Sequence, residues 1–387
     1  MRTQVGIVGA GPAGLLLSHL LHLHGISSVV LEVRDRAYIE KRVRAGVLEQ
    51  GTVDTLREAG LADRLDREGL RHEGIELRFD GEGHRVPMTE LTGRAITVYG
   101  QQEIVKDLVA RRTADGGDIR FEVSDVRLDR LATDRPVIRF RHDGRDEELV
   151  CDFVAGCDGY HGVCRASAPG GVLRAYERVY PFGWLGILAE AAPAVDELIY
   201  CLHENGFALY SMRSPRISRL YLQVSADEPL DAWPDDRIWD ELATRFRLAG
   251  SDWRPTEGPV VEKGVTPMRS LVTEPMRYGR LLLAGDAVHI VPPTGAKGLN
   301  LAVNDVRLMA RALDGWYSSG DESLLDRYTR DALSRVWRVQ HFSWWMTSML
   351  HRFPGDDSYQ HRLQVAQLRN VVESRAYATA LSENYVG

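Results

Sequence analysis

The chain opens with a run that admits few folds. An apolar strand signal over residues 3–8 (TQVGIV) leads into Gly9, Gly11 and Gly14 in GxGxxG spacing, followed by a helical pattern over 12–24. Glycines at these places permit a tight turn, close approach of the backbone to a pyrophosphate, and close helix–strand packing. The helix N-terminus just beyond them favours bound negative charge. A second strand signal over 27–32 (SSVVLE) completes a βαβ unit and ends in Glu32, where a carboxylate can take a ribose hydroxyl. With strand, helix and acid in place, the glycines read as a dinucleotide site; without them they would be only a turn.

A second glycine-rich element, RLLLAGDAVHIVPPTGAKGLNLA, stands near residue 280. Its strand, 279–284, ends in Gly285 and Asp286, and the Asp286 carboxylate suits a ribityl hydroxyl or a bridging water. The PPTGAKG loop then enters a helix beginning near Asn300. Backbone N–H groups there, with Lys297 nearby, would stabilise negative charge on a reduced flavin ring. The two elements together point to FAD rather than a loosely bound nicotinamide. A third strand-end signal, Asp158-Gly159 in AGCDGYHGVCR, has Arg165 close enough downstream to meet a phosphate; alone it reads as a turn.

At 387 residues the chain exceeds one comfortable core. A net charge of −7 with no long basic run argues against nucleic-acid binding. The four cysteines (Cys151, Cys157, Cys164, Cys201) show no CxxC and no zinc spacing, which fits reduced thiols in a cytoplasmic protein without a metal. The apolar N-terminal stretch is cut by glycines and Pro12 and lacks a cleavage site, so it is not read as a signal peptide. No uninterrupted apolar run of about 18 residues exists to span a membrane. Residues 50–60, 102–113 and 235–248 read as helices, and so does most of the chain after Asn300. From about residue 180 the runs DELIYCL, GFALYSMR and RISRLYLQV, separated by ENG and SPR turns, predict an antiparallel sheet. The expected architecture is mixed α/β. A Rossmann-like FAD-binding unit (1–178) is interrupted by an antiparallel substrate sheet (179–268), resumes over 269–350, and is followed by a helical segment (351–387) closing the site.

The three glycine-containing elements resemble the FAD-dependent aromatic-ring monooxygenases. The stretches RVRAGVLEQG, ERVYPFGWLG, AGDAVHIVPPTGAKGLNLA, FSWWMTSMLHRFP and ENYVG narrow the resemblance to the 4-hydroxybenzoate 3-hydroxylase family, over essentially the whole chain. It implies reduction of FAD by NAD(P)H, a flavin C4a-hydroperoxide formed with O2, and oxygen transfer to a phenolate ring. By the same resemblance Ser211, Arg213 and Tyr221 clamp the substrate carboxylate, and Tyr200, Tyr385 and His72 relay the phenol proton. Pro293 meets the substrate hydroxyl or the flavin region through its carbonyl. Arg42, Arg44, Gln101, Asp158, Asp286, Leu299 and Asn300 match FAD contacts, and Arg219 matches a residue that influences flavin position. The flavin is expected to swing between an inner and an outer site. His161, Arg165 and Arg269 match the nicotinamide path, as does Tyr38.

Read without the resemblance, the alternating polar residues of 211–221 are the water-facing side of a half-buried sheet. Tyr200 would be strand filler, Tyr385 a tail residue and His72 a surface histidine. Nicotinamide choice rests on VRDRAYIEKRVR: Tyr38 and Arg42 favour NADPH, Val33 stands where relatives carry arginine, and Asp35 and Glu40 add repulsion that Arg34 and Arg36 offset. The balance leans to NADPH, with NADH or dual use open. The same chemistry on 4-aminobenzoate or a substituted 4-hydroxybenzoate is the near alternative. An uncoupled NAD(P)H oxidase or a flavin-binding sensor is the distant one. The aromatic-rich stretch 342–353 is either core or part of a homodimer contact.

Overall fold

The computed structural model describes residues 1–42 and 46–387. A six-stranded sheet carries the glycine motifs. Val5–Val8 pairs in parallel with Ser28–Leu31 on one side and Phe153–Gly156 on the other, and Leu281–Leu283 extends the sheet beyond Phe153–Gly156. These strands read as unbroken apolar runs because both sheet faces are covered. Helix Pro12–Leu23 packs against helices Gln101–Ala114 and Gly298–Ser319, and Leu15, Leu16, Leu108, Val306 and Met309 share one core with Val5 and Ile7. The strand just before Gly285 and the strand just before Gly9 thus end at the same edge of one sheet.

An eight-stranded sheet forms the second layer. Its order is His289–Ile290, Val260–Glu274, Arg174–Ala189, Ile217–Val224, Ala208–Ser214, Leu198–Cys201, Ile75–Phe79, Glu82–Val86. The three strands predicted around 198–224 are present and antiparallel. Strands 75–79 and 82–86 join them from far upstream, the former in parallel with Leu198–Cys201.

Directly paired residues share a sheet face. On one face Ile187, Ile199, Tyr210 and Leu220 pack on Ile238, Trp239 and Leu242 of helix Asp235–Arg245. On the other, Trp184, Tyr200, Leu209 and Tyr221 meet Phe342, Met346, Leu350, Leu368, Leu381 and Tyr385. Those residues come from helices Ser323–Leu350, Ser358–Glu373 and Arg375–Val386. Tyr221 thus packs beneath these helices and Ser211 is buried, so this side of the strand pair is not a water-washed face. Among the described residues, no helix is long and apolar enough to cross a membrane, and no cluster of His, Cys, Asp or Glu could hold a metal.

Candidate active site

Where the covered face of the large sheet meets the 293–298 loop there is a small cavity. It is lined by Val47, Trp184, Leu198, Tyr200, Leu209, Ser211, Arg213, Tyr221, Pro293 and Ala296, and water-sized molecules can range over about 30 Å³ within it. Strand register explains the grouping: Ser211 lies opposite Arg219, Leu209 opposite Tyr221, Tyr200 opposite Leu209, and Gly186 opposite Tyr221. A Cβ at Gly186 would come within 2.7 Å of Arg219 Nη2, so a side chain there would displace the end of that guanidinium. Ser211 is buried, and the buried guanidinium atoms Arg213 Nε, Arg219 Nε and Arg219 Nη1 have no hydrogen-bond partner among the described residues. Arg213 Nη1 donates to Met212 O at 3.2 Å and Arg219 Nη1 lies 3.9 Å from Glu262 Oε1, and the donors left over suit an anion. Burial lowers the pKa of Arg213, partly offset by Tyr221; burial would raise that of Tyr221, but Arg213 and Arg219 hold it below the usual phenol range.

Tyr200 and Tyr385 hydrogen-bond to each other through their hydroxyls, both fully buried. Burial raises both pKa values, and for Tyr200 the Tyr385 hydroxyl adds to the rise. Both phenols therefore stay protonated and can donate. His72 ends strand Leu70–His72 and is 1% exposed, with neither ring nitrogen bonded to another described residue. Burial pushes its pKa down to about 4 despite the nearby carboxylates of Glu197 and Asp196, so the ring is neutral. It is far from the surface histidine that an isolated reading of the sequence gives.

The glycine loop is shaped for a ligand. A Cβ at Gly14 would lie 1.9 Å from the Gly9 carbonyl oxygen, and one at Gly9 2.3 Å from that of Cys157, whereas one at Gly11 would meet nothing within 4 Å. The first two glycines are required by packing, and the third leaves the approach open. Helix Pro12–Leu23 has no side chain capping its N-terminus, and neither has helix Gly298–Ser319. Uncapped N–H groups at two converging motifs suit a pyrophosphate and an electron-rich ring. Glu32 accepts from Ala10 N at 2.7 Å and Arg34 N at 2.9 Å, fixing the carboxylate at the strand end. Asp158 accepts from Cys164 N at 2.8 Å through one oxygen, while its other oxygen is buried with no described partner. Gln101 begins helix Gln101–Ala114, and Asp286 is exposed at its strand end. Arg44 lies outside the described residues. Beyond Arg213 a wider opening of about 710 Å³, lined by Tyr99, Gly100, Gln102, Leu188 and Ser214, has room for a fused ring system.

Two expectations change in detail. Lys297 does not present its ammonium to an open ring site. It is 1% exposed and donates to Glu49 Oε1 at 2.6 Å and to the Tyr385 carbonyl at 2.7 Å. Burial lowers its pKa and Glu49 partly restores it. Glu49 also holds Arg335. Asn300 likewise spends its side chain inside the protein, accepting from Glu49 N at 2.9 Å and Thr52 Oγ1 at 2.7 Å and donating to Val47 O and Ala296 O. What remains for a ligand at this point is the backbone of Gly298 and Leu299. Glu49 had no signal in the sequence, because its partners lie about 250 residues on.

Comparison with known proteins gives the family. Residues 2–343 match the FAD binding domain family. A p-hydroxybenzoate hydroxylase of Acinetobacter baylyi is 48% identical, the alignment covering 100% of this chain and 96% of that one. The chain is an FAD-dependent aromatic hydroxylase. A probable NADH-specific resorcinol 4-hydroxylase of Rhodococcus jostii is 27% identical over 84% of the hydroxylase and 61% of that relative. The crystal structure of the Pseudomonas putida p-nitrophenol 4-monooxygenase PnpA superposes with a TM-score of 0.84 at 19% identity, covering 100% of this chain and 99% of that one, and so shares the fold.

The remaining cationic candidates of the hydroxylase gather in two places. Arg165 and Arg269 lie over the Tyr160 ring at 5.0 and 4.6 Å, and the exposed His161 meets its edge at 4.9 Å. Arg165 also donates to Ala287 O at 3.0 Å and Tyr160 O at 2.9 Å, tying the Asp158 and Asp286 loops together. Tyr160, the hub of this group, was missed in the sequence because nothing local distinguishes it. In helix Arg36–Lys41, Tyr38 is exposed, with Arg34 and Arg42 over its ring at 5.1 and 5.9 Å. Asp35 is occupied as the N-cap, accepting from Tyr38 N at 2.8 Å, and Glu40 pairs with Arg36 at 2.6 Å.

Proposed function

We propose that this flavoprotein hydroxylates 4-hydroxybenzoate to 3,4-dihydroxybenzoate, with NADPH as reductant and O2 as oxidant. The observation that carries the reading is one cavity lined both by Arg213, whose buried Nε has no described partner, and by Tyr200, which hydrogen-bonds to Tyr385. The carboxylate of a benzoate fits Arg213, Ser211 and Tyr221. The para oxygen then falls to Tyr200, whose protonated hydroxyl stabilises a phenolate and hands the phenolic proton to Tyr385. We place neutral His72 at the outer end of that relay. Leu198, Leu209, Trp184 and Val47 keep water from the ring, and the Pro293 carbonyl orients its hydroxyl.

Gly9, Gly11, Gly14, Glu32, Arg42, Gln101, Asp158, Asp286 and Leu299 would hold FAD, with Arg44 as a further contact and Asn300 bracing the loop beside Leu299. Bound FAD supplies hydride acceptance from the nicotinamide and activation of O2. Arg219, braced over the Tyr221 ring at 5.2 Å, would steady the flavin beside the substrate. Arg34, Tyr38 and Arg42 suit a 2′-phosphate, since the two nearby carboxylates are already engaged; His161, Arg165 and Arg269 would meet the rest of the nicotinamide cofactor. We read 1–178 with 269–350 as the FAD-binding part, 179–268 as the substrate sheet and 351–387 as its cover. Exposed Trp337 and Trp344 on helix Ser323–Leu350, with Tyr377 on that cover, suit a homodimer, and the four buried free thiols suit the cytoplasm.

The test is product formed per NADPH consumed in air, by chromatography with a parallel peroxide assay. Near one 3,4-dihydroxybenzoate per NADPH supports the reading. NADPH loss giving mostly peroxide would transfer the reading to a related ring acid such as 4-aminobenzoate. No consumption with either nicotinamide would refute it.

A further inference from the structure

Trp184 forms one wall of the substrate cavity, and its indole N–H does not point at the ligand space. It donates to Nε2 of His351 at 2.7 Å. An indole nitrogen only donates, so His351 Nε2 must be the unprotonated nitrogen. The imidazole proton then sits on Nδ1, which donates to the Thr347 carbonyl at 3.1 Å. One tautomer is fixed from both sides. His351 is fully buried and burial holds its pKa down at about 3, the Thr347 bond notwithstanding, so this polarity persists across the working pH range.

Ring geometry adds a second restraint. The Trp184 and His351 rings differ by 4° in plane, and Phe207 stacks on both at 5.0 and 4.3 Å. Phe182 stacks on the imidazole at 4.9 Å and 11°. The support is itself rigid. Gln364 clamps the end of helix Ser323–Leu350 by donating to His351 O at 2.6 Å and Ser348 O at 2.8 Å. One turn earlier the Thr347 hydroxyl donates to Ser343 O at 2.7 Å, which leaves it to accept from Thr294 at 2.8 Å. Thr294 follows Pro293, which also lines the cavity, so one helical turn anchors both the indole and this loop.

We propose that His351 is a positioning residue that locks the Trp184 indole as the rigid wall of the substrate cavity, and thereby sets which ring substituents the hydroxylase admits. The inference rests on the cavity being the aromatic-acid site.

Two measurements on the FAD-containing enzyme test it. In protein labelled with ¹⁵N-tryptophan, a Trp184 indole proton bonded to imidazole gives a downfield, exchange-protected signal. That signal is assigned by its loss in Trp184→Phe. It should move upfield in His351→Phe, which keeps the stacking ring but offers no acceptor, and stay near its place in His351→Gln, which offers one. The second measurement is binding of 4-hydroxy-, 4-amino- and methyl-substituted 4-hydroxybenzoates, followed by flavin absorbance. His351→Phe should weaken the best ligand about tenfold, the scale of a buried donor left unpaired, and flatten discrimination across the panel. His351→Gln should keep the wild-type ranking, and in a Trp184→Phe background the His351→Phe change should add little.

An unshifted indole signal in His351→Phe would overturn the proposal. So would unchanged discrimination in that variant, equal damage from Phe and Gln, or fully additive effects. Should His351→Phe fail to retain flavin, Trp184→Phe decides alone: wild-type discrimination without the indole refutes the wall. A wild-type enzyme that prefers 4-aminobenzoate would count against the proposed substrate and leave the comparison between variants intact.

Discussion

His72 gives a prediction whose size follows from its surroundings. The ring is buried and neutral, with a pKa of about 4 in the folded protein against 6.5 for an exposed histidine. The unfolded chain therefore binds a proton that the folded one refuses. The stabilisation is fully present above pH 6.5 and is lost as pH falls towards the folded value, at up to about 1.4 kcal/mol per pH unit. Between pH 7 and pH 5 the loss from this one ring is about 2 kcal/mol. Carboxylates titrate over the same range, so the quantity to measure is a difference. Urea unfolding of the FAD-bound protein, followed by tryptophan fluorescence at both pH values, is compared between wild type and His72→Gln. The variant should lose about 2 kcal/mol less on acidification. Parallel losses would mean that His72 is hydrated and titrates normally in the folded enzyme. The neutral end of the proposed relay would then be wrong as well.

Arg213→Ala should weaken binding of the aromatic carboxylate roughly a hundredfold, as expected for one partner of a buried charge pair, read by flavin absorbance titration; a change under threefold would place the carboxylate elsewhere. Tyr385→Phe removes the partner of the Tyr200 hydroxyl, so NADPH consumption should continue while hydroxylated product falls by roughly a hundredfold and peroxide takes its place. Gly14→Ala drives a Cβ against the Gly9 carbonyl, and the protein should purify without its yellow colour, as the ratio of flavin to protein absorbance will show.

The nucleotide half was legible because its information is local. Three glycines, a following helix and Glu32 fall within one βαβ unit, and turn signals mark each strand of the sheet around 198–224. The substrate face was not legible from the residues alone, because what covers it comes from residues 342–386. Alternation in 211–221 looks the same under water or under helices, and only the family resemblance placed Ser211, Arg213 and Tyr221 inside. Lys297 shows the opposite failure. Its position beside a glycine loop suggested an open cation, and Glu49, some 250 residues upstream, takes the charge. His351 carries no sequence signal at all, since its meaning lies in an indole 167 residues away.

The contact between Tyr200 and Tyr385 joins positions separated by 185 residues. It can form only after helix Arg375–Val386 has docked, and contacts of such long range are slow to close. The same helix supplies the Tyr385 carbonyl that accepts from Lys297, so its docking completes both the tyrosine contact and the support of the glycine-rich loop.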